Sequence, residues 1–214
     1  MNDKTRCGTL KIYDFFSGLG GFSQAFVDRG HNVIRYDNDP QFEEIPHTLI
    51  KDILDLQPHD IDDADIILAS PPCTHFSVAA VYRHWPKGIP TEATLEQIEL
   101  VKHTIKIIKE ANPEYWILEN PRGMLRNVIG RPQKTIPLCA YGKKAYKPTD
   151  FWGRFPPIDW KTPLKWQKAP RGSKLGVQGY DNAARSAMIP YDFSMAVCLA
   201  VEGNSPQRTI SEFI

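Results

Sequence analysis

Short apolar runs alternate with amphipathic stretches along the first 120 residues of the chain. From Thr94 to Ala111 apolar residues recur every three or four positions, which predicts one face of a helix. A second helix, FSQAFVDRG, follows a glycine-rich turn and ends at Gly30, a typical C-terminal stop. Five apolar runs bounded by turn residues predict strands: LKIYDFF, NVIRYD, HTLIKDI, ADIILAS and EYWILEN.

This alternation predicts a Rossmann-like α/β fold, with a mostly parallel sheet and helices on both faces. Ligands of such sheets bind at the carboxyl ends of the strands. Residues 72–93 show no sustained period, which predicts a long loop with one helical turn, and such loops are usually functional. Beyond residue 121, TIPLCAYG and KPTDFWG predict two strands joined by a basic hairpin, and YDFSMAVCLAVE predicts a final helix.

The composition restricts the class of protein. The chain has 214 residues, enough for one domain with a large core and at most a small second domain. No apolar run approaches the roughly 18 residues that cross a membrane, and the first residues lack the apolar core of a secretion signal. The four cysteines form no CxxC motif. We therefore expect free thiols, no metal site and a cytoplasmic location.

The two signs of charge are separated along a chain whose net charge is only +1. Residues 36–65 hold ten carboxylates and one lysine, whereas residues 121–190 hold fourteen lysines and arginines and three aspartates. The basic half could face a polyanion such as nucleic acid. Charge alone fits two solvated surfaces equally well.

The first candidate site is DFFSGLGGF, residues 14–22. Glycines after a first strand let the backbone approach a ligand closely, and Asp37, which ends the second strand, is placed to hydrogen-bond a ribose. The spacing is GxGG rather than the dinucleotide pattern GxGxxG, which disfavours a nicotinamide cofactor. Taken alone, the glycines also fit an ordinary tight turn.

Two further motifs carry candidate chemistry. Cys73, in SPPCTHFS, follows two prolines at the end of the fourth strand, where a stiff backbone suits a nucleophile that a nearby cation activates. Glu119, in ENPRG, ends the fifth strand, one strand away. Each residue taken singly also fits a structural role. His75 and His84 lie nearby, but no second ligand pair completes a metal site.

Together the three motifs resemble those of the DNA cytosine-5 methyltransferase family. DFFSGLGGF is similar to its cofactor motif, SPPC with Phe76 and Ser77 to its Pro-Cys catalytic motif, and ENPRG to its Glu-Asn-Val motif. The resemblance covers residues 11–152 and returns in SAMIPYDFSMAVCLA. It implies S-adenosylmethionine as cofactor, S-adenosylhomocysteine as product, and double-stranded DNA with a flipped cytosine as substrate.

The resemblance implies a role for each matching cofactor residue. Phe16, Gly18 and Gly20 would wrap the methionine part, and Asp37 would hold the ribose. Residues 52 and 53 would flank the adenine. The full set of predicted cofactor-binding residues is Asp14, Phe16, Ser17, Gly18, Leu19, Gly20, Gly21, Asp37, Asn38, Asp52, Ile53, Ser70 and Pro71.

The resemblance also implies a covalent mechanism. Cys73 would attack carbon-6 of cytosine while Glu119 hydrogen-bonds or protonates the ring nitrogen, so that carbon-5 takes the methyl group. A base then removes the proton from carbon-5, and the cysteine leaves. Because the cytosine must leave the duplex, residues 74–93 are the predicted lid. The predicted catalytic residues are Cys73, Glu119, Asn120, Arg122 and Lys147.

The chain departs from the family pattern in three places. Pro121 replaces the valine of Glu-Asn-Val. YGKKAYKPTDFWG stands where the family has Gln-x-Arg-x-Arg, so that Lys147 or Arg122 would supply the cation near the base. Only some thirty-five residues separate Trp152 from the closing motif, too few for a conventional target-recognition domain. This predicts a minimal enzyme with a short or relaxed recognition sequence, of the kind that phage genomes carry. The segment also fits an ordinary surface loop.

We therefore expect residues 1–152 and 186–202 to form the catalytic cofactor-binding domain, residues 153–185 a minimal target-recognition segment, and residues 203–214 a flexible tail. A monomer is expected, with a dimer as the alternative, in a bacterium or a phage-infected host cell. Restriction-modification, restriction evasion and regulation remain open as its purpose. The predicted substrate-binding residues are Pro72, Ser77, Arg154, Lys165, Lys168 and Arg171.

Three other functions remain compatible with the sequence. Enzymes that methylate an exocyclic amino group of adenine or cytosine also place two prolines at this strand end, but Cys73 stands where they carry an aromatic residue. A DNA-binding protein that keeps the cofactor fold without catalysis is the second alternative. RNA or a free nucleotide as substrate is the third.

Overall fold

Seven strands form one mixed sheet in the computed structural model, which describes residues 8–143, 146–162 and 183–203. The strands are β1 (Lys11–Phe15), β2 (Asn32–Asp37), β3 (Thr48–Ile50), β4 (Ile66–Ala69), β5 (Tyr115–Pro121), β6 (Lys134–Pro137) and β7 (Pro148–Arg154). Their order across the sheet is β3-β2-β1-β4-β5-β7-β6. The first five run parallel, whereas β7 is antiparallel to both β5 and β6.

Helices cover both faces of this sheet, and each face has its own hydrophobic core. β4 shows the arrangement, because Ile66 and Leu68 belong to one core, and Ile67 and Ala69 belong to the other. Strands buried on both faces read as continuous apolar runs, as ADIILAS does. The described helices are α1 (Gln24–Asp28), α2 (Val81–His84), α3 (Glu92–Ala111), α4 (Arg126–Ile129), α5 (Ala183–Ala187) and α6 (Tyr191–Val201).

The predicted Rossmann-like fold is confirmed, with α1 and α6 on one face and α3 on the other. NVIRYD coincides with β2, and the helix expected over residues 94–111 begins two residues earlier, at Glu92. The prediction of a strand over TIPLCAYG was wrong for the second half of this segment. β6 ends at Pro137, which lacks the N–H that a ladder needs, and a 3₁₀ turn follows over Leu138–Tyr141. The short helices α4 and α5 were not predicted.

The strand order separates the two signs of charge. The first part of the acidic segment, residues 36–52, ends β2 and forms β3 at one edge of the sheet, whereas residues 53–65 contact α3 and lead to the start of β4. β6 and β7, which belong to the basic half of the sequence, form the other edge. The protein therefore has an acidic edge and a basic edge, with the carboxyl ends of β1, β4 and β5 between them.

The described part of the chain bears on two further expectations. Cys73, Cys139 and Cys198 are free thiols. Within the same residues, no helix combines the length and the apolar character that crossing a bilayer requires. The predicted flexible tail lies outside the described residues, except for Gly203.

Candidate active site

A cavity opens where the carboxyl ends of β1, β4 and β5 meet. β2 lies on one side of β1 and β4 on the other, so the chain order reverses here, and such switch points are where open α/β sheets bind ligands. Cys73, Glu119 and Lys147 all line this cavity. The predicted nucleophile and the predicted acid therefore share one space. The other predicted residues that line it are Asp14, Phe16, Ser17, Gly18, Leu19, Gly21, Asp37, Asn38, Ser70, Pro71 and Pro72.

The turn after β1 forms one wall of the cavity, and β2 holds that turn in place. Phe16 has φ 59°, a left-handed conformation that is uncommon for a bulky residue. The amide of Ser17 donates to the carbonyl of Tyr36 at 3.1 Å, and the amide of Gly18 donates to Asp37 Oδ2 at 2.8 Å. Asp37 thus supports the turn while it lines the cavity.

Asp14 is a fully buried carboxyl group that lines the cavity beside this turn. Its Oδ2 accepts from the Ser23 hydroxyl at 2.6 Å, and that hydroxyl accepts from Arg35 Nε at 2.9 Å. Its Oδ1 has no hydrogen-bond partner among the described residues. Burial raises the pKa of Asp14 to about 6, although Ser23 and Arg35 offset part of the rise. One acceptor is thus available for a cationic ligand group.

Cys73 lies on a loop that β5 helps to position. Asn120, at the end of β5, is buried, and its Nδ2 donates to the carbonyl of Pro71 at 2.8 Å. After Cys73 the chain turns tightly, because the amides of Phe76 and Ser77 both donate to the Cys73 carbonyl, at 3.1 and 3.0 Å. Asn120, predicted as catalytic, is not part of the cavity lining and instead supports the loop that carries the thiol.

A close backbone contact joins the Cys73 loop to the segment after Glu119. The amide of Met124 donates to the carbonyl of Phe76 at 2.7 Å, and Ser77 forms an antiparallel bridge with Gly123. A Cβ atom on Gly123 would overlap the Phe76 carbonyl oxygen. The glycine of ENPRG is therefore needed so that the segments carrying Cys73 and Glu119 can approach each other.

Replacing Gly123 with alanine is expected to destabilise the protein by about 1–3 kcal/mol, the usual cost of overpacking, because the Phe76 carbonyl must move. Urea unfolding measures this change in the free energy of unfolding. Gly8→Ala is the control, since a Cβ there meets nothing within 4 Å, and its effect should stay under about 0.5 kcal/mol. Equal stability of the two variants would contradict the contact.

Two lysines influence the protonation of Cys73 and Glu119. Burial raises the pKa of both groups, and the ammonium group of Lys147 opposes the rise in each case. Lys143 acts in the same direction, and burial lowers its own pKa to about 8. A Cys73 thiolate beside a Glu119 carboxylic acid carries the same net charge as a Cys73 thiol beside a Glu119 carboxylate. A proton can therefore move between the two residues without a change in the net charge of the pair.

Three predicted cofactor residues do not line the cavity. The Arg35 guanidinium occupies the space beside Gly20, so this glycine makes room for a protein side chain rather than for a ligand. Ile53 is 2% exposed and packs in the core on the α3 face. Asp52 accepts from Asn38 Nδ2 at 3.1 Å, and therefore contacts the cavity wall only through Asn38.

Arg154 lies at the opposite end of the sheet from the cavity. Because β7 runs antiparallel to β5, Arg154 pairs with Trp116, near the residue where β5 begins. Its guanidinium donates to the carbonyl of Pro113 and to Oδ1 of Asn112. The direction of β7 thus carries Arg154 away from the cavity, and its assignment to the substrate-binding residues stays a prediction.

The remaining predicted residues fall beside the cavity or outside the described chain. Arg122 is exposed, and Ser77 pairs with Gly123; neither lines the cavity. Of the two cations considered for the missing family motif, the structure thus brings Lys147 to the pair of catalytic candidates. Lys165, Lys168 and Arg171 lie outside the described residues.

A group of possible metal ligands, His31, Cys198 and Glu202, lies near the end of α6, with its ligand atoms within 4.8 Å of one another. The Arg29 guanidinium makes two hydrogen bonds of 2.7 Å to the Glu202 carboxylate, and His31 Nε2 lies 2.9 Å from it. A guanidinium in this position competes with a metal cation. We interpret the group as an ion-pair network that joins α6 to the end of α1.

The model of the family described as C-5 cytosine-specific DNA methylase matches residues 10–136, which is more than half of the chain. The chain belongs to this family. The matched residues of this DNA methylase family member contain both Cys73 and Glu119.

Curated relatives include type II methyltransferases of bacteria. M.BsuFI of Bacillus subtilis is 27% identical over 136 residues, which cover 59% of this chain and 31% of the relative. M.Bsp6I of Bacillus sp. (strain RFL6) is 30% identical over 135 residues, which cover 59% of this chain and 41% of the relative. The match with this DNA methylase family member therefore spans less than half the length of either enzyme.

A viral relative and a solved structure add to these similarities. A probable DNA (cytosine-5)-methyltransferase of Frog virus 3 (isolate Goorha) is 28% identical over 155 residues, which cover 67% of this chain and 70% of the relative. The structure of the Entamoeba histolytica methyltransferase EhMeth matches 75% of this chain and 57% of its own, with a TM-score of 0.52 and 15% identity. At this identity the structural match shows that the fold is shared.

Several lining residues of this DNA methylase family member were not predicted from its sequence. Phe42 approaches Gly18 and lines the cavity, and no local pattern marks it. Met188 lies in the segment before α6, within SAMIPYDFSMAVCLA. This motif resembles the family, but none of its residues was predicted to belong to the site. Lys143 Nζ donates to the Met188 carbonyl at 2.8 Å. The other lining residues are Phe22, Pro121, Ala184, Ala187 and Ile189.

Proposed function

We propose that this protein transfers a methyl group from S-adenosylmethionine to carbon-5 of a cytosine flipped out of double-stranded DNA. The observation that carries the proposal is the cavity that Cys73 and Glu119 share with the glycine turn and Asp37. Membership of the DNA methylase family and the printed names of the relatives support it. A protein that only binds DNA needs neither the thiol nor the buried acid in such a cavity.

The lining of the cavity fits S-adenosylmethionine. Asp14 Oδ1 and Ser17 Oγ are buried polar atoms without a hydrogen-bond partner among the described residues, and both residues line the cavity. The Asp14 carboxylate suits the ammonium group of the methionine part. Asp37 accepts the amides of Gly18 and Asp39, yet its oxygens keep lone pairs for the ribose hydroxyls.

Phe42 and Asn38 suit the adenine end of the cofactor. Phe42 is half-buried and offers an apolar ring beside Gly18, and Asn38 offers an amide that Asp52 orients. We therefore assign to Phe42 the apolar contact that the family resemblance implied for Ile53. When bound, the cofactor supplies an electrophilic methyl group.

The catalytic residues of the chain act on the cytosine ring. The Cys73 thiolate forms a bond to carbon-6 while the Glu119 carboxylic acid gives a proton or a hydrogen bond to the ring nitrogen, so that carbon-5 becomes electron-rich. The Lys147 ammonium stabilises the thiolate beforehand. Once carbon-5 carries the methyl group, a base removes its proton, and the electrons expel the thiolate from carbon-6.

The charge distribution supports one orientation of DNA on the protein. Phosphates are repelled by the acidic edge around β3 and attracted by the basic edge that contains β6 and β7. The proposed lid over residues 74–93 carries the exposed side chains Val78, Tyr82 and Ile89, which suit the space that a flipped base leaves. Residues 153–185 remain the proposed target-recognition segment.

Asp14→Asn is expected to weaken S-adenosylhomocysteine binding about tenfold or more, since a hydrogen bond to a charged group contributes about 1.5–3 kcal/mol. It should also stabilise the free protein. The pKa of Asp14 in the folded protein is about 6, above the ordinary 3.8. The folded protein therefore becomes less stable as the pH rises from 3.8 to about 6 and Asp14 loses its proton. Calorimetric titration and thermal unfolding at pH 7 measure the two effects.

Asp63→Asn is the control for Asp14, because Asp63 is exposed and has φ 45°, a conformation that asparagine also adopts. It should change neither affinity nor melting temperature. A purely structural Asp14 predicts instead that Asp14→Asn loses stability and affinity together, and this result would contradict the assignment.

Nucleoside analysis of DNA that has been treated with the purified protein and labelled S-adenosylmethionine tests the proposed function directly. We expect labelled 5-methylcytosine. N4-methylcytosine or N6-methyladenine as the product would contradict the proposal and favour an amino-group methyltransferase. DNA that contains 5-fluorocytosine should become covalently attached to the protein, because fluorine blocks the final loss of a proton, whereas a non-catalytic DNA-binding protein forms no such adduct.

A further inference from the structure

His75 follows Cys73 by two residues and connects three parts of the molecule: the Cys73 loop, α2 and the first turn of α3. Its Nδ1 atom lies 3.0 Å from Thr94 Oγ1, on α3. Its ring centroid lies 4.0 Å from that of His84, at the end of α2. The carbonyl of His75 accepts from Trp85 Nε1 at 2.8 Å. Both the backbone and the ring of His75 are therefore held in place.

The buried Thr94 hydroxyl determines which His75 nitrogen carries a hydrogen. This hydroxyl donates to the carbonyl of His84 at 3.2 Å and lies 2.9 Å from the Thr91 hydroxyl. Since a hydroxyl donates only one hydrogen, it accepts from His75, and Nδ1 is the protonated nitrogen in the neutral ring. Nε2 then carries the lone pair and is the atom that an added proton would occupy.

The surroundings of His75 favour its neutral form. Burial lowers the pKa of His75, the neighbouring His84 on α2 lowers it further, and Glu96 on α3 acts in the opposite direction. Among the described residues, His84 and Glu96 are the titratable groups that act on its ring. Two imidazolium rings with centroids 4.0 Å apart would repel each other strongly. A proton therefore binds more readily after the two rings have separated.

The contact with His84 also positions the segment between Val78 and Ile89. Three of its apolar side chains are 66–75% exposed: Val78, Tyr82 and Ile89. The backbone after this segment returns to His84, whose carbonyl accepts from the Thr91 amide at 3.0 Å. The stacked histidines and Thr94 thus form the junction between the catalytic thiol loop and the exposed apolar segment.

We propose that His75 is a positioning residue for methyl transfer, whose neutral ring fastens the Cys73 loop to Thr94 and, through His84, holds the segment of residues 78–89 in its observed position. This inference rests on the proposed function and adds a residue that transfers no proton to the substrate. Because the pKa of His75 is lowered in this arrangement, the arrangement loses stability as the pH falls below the ordinary histidine value of about 6.5.

The pH dependence of kcat separates positioning from a merely structural role. In the wild type, kcat is expected to fall as the pH drops below about 6.5. His84→Ala removes one influence that lowers the pKa of His75, so the midpoint of the fall should move upward, toward 6.5. His75→Ala should lower kcat about tenfold at pH 8, the effect of one hydrogen bond, with little change in the KM for DNA. His75→Asn keeps a donor for Thr94 and should restore much of this loss without the fall at acid pH.

His59→Ala is the control variant, because His59 is exposed and lies in the turn over Pro58–Asp60, outside the Cys73 loop, α2 and the first turn of α3. Its kcat profile should follow that of the wild type at every pH. If the decrease in kcat at acid pH has the same midpoint in the wild type, His84→Ala and His75→Asn, the proposal is overturned.

Two measurements that need no methyl transfer keep this inference separate from the proposed function. NMR titration of the histidine rings should show His75 titrating below about 6.5 in the wild type and moving upward in His84→Ala. Alkylation by iodoacetamide, followed peptide by peptide, should modify Cys73 faster relative to Cys139 in His75→Ala than in the wild type at pH 8. An unchanged alkylation ratio together with an unshifted titration would overturn the positioning role, even in a protein that methylates DNA.

Discussion

Cys73→Ser is expected to lower methyl transfer to DNA by at least about a thousandfold, which corresponds to roughly 4 kcal/mol of activation free energy. The reason is chemical: a serine hydroxyl ionises far less readily than a thiol, and Lys147, whose ammonium favours the Cys73 thiolate, cannot compensate for that difference. The covalent complex with DNA that contains 5-fluorocytosine should disappear. Radiolabel transfer and denaturing electrophoresis measure the two losses.

Cys139→Ser is the matched control, because Cys139 is a half-buried free thiol that does not line the cavity. It should keep the activity and the covalent complex. Affinity for S-adenosylhomocysteine should be nearly unchanged in Cys73→Ser, so that its loss is assigned to chemistry rather than to folding. Retained methylation in Cys73→Ser would contradict covalent catalysis and point to direct transfer onto an amino group.

Glu119→Gln is expected to lower methyl transfer about 10²- to 10⁴-fold, the usual contribution of a positioned acid or base. The glutamine amide can still donate a hydrogen bond to the ring nitrogen, but it cannot transfer a proton. Burial raises the pKa of Glu119, so its acid form persists to a higher pH than in an ordinary carboxyl group. The wild type should therefore lose activity as the pH rises through this pKa, and Glu119→Gln should lack that alkaline fall.

Glu99→Gln provides the control for this substitution, because Glu99 is exposed on α3, where it pairs with Lys102 on the neighbouring turn. Its rate and its pH profile should match those of the wild type. If the activity of Glu119→Gln still decreases at alkaline pH as in the wild type, another group causes the decrease, and this result would contradict the role of Glu119 as the acid.

The strands near the site could be predicted because their signals are local. ADIILAS reads as an apolar run because β4 is buried on both faces. NVIRYD contains the apolar pair Val33 and Ile34, which pack into the two opposite cores. The extent of β6 was harder to predict, since TIPLCAYG is equally apolar on both sides of Pro137. The contacts that Leu138 and Tyr141 make in the core, rather than any local period, place them in a 3₁₀ turn.

Three predicted site residues lie outside the cavity lining for one common reason. Gly20 follows the glycine pattern of a ligand-binding turn, yet Arg35 from the neighbouring strand occupies the space beside it. Ile53 stands at the expected distance after β3, but the 3₁₀ turn that starts there rotates it into the core. Arg154 belongs to a basic stretch of sequence, and only the antiparallel direction of β7 shows that it lies away from the cavity.

The apolar runs and the motifs at their ends are enough to predict the Rossmann-like fold and the candidates Cys73 and Glu119, because residues that end neighbouring parallel strands must meet at one edge of the sheet. The other residues that line this edge could be identified from the packing of the folded chain alone. Phe42, Lys143 and the segment before α6 reach the site through packing between parts of the chain that are distant in sequence. Hydrophobic periodicity indicates which side of its own helix or strand a residue occupies. Contacts between separate elements depend instead on how those elements pack together.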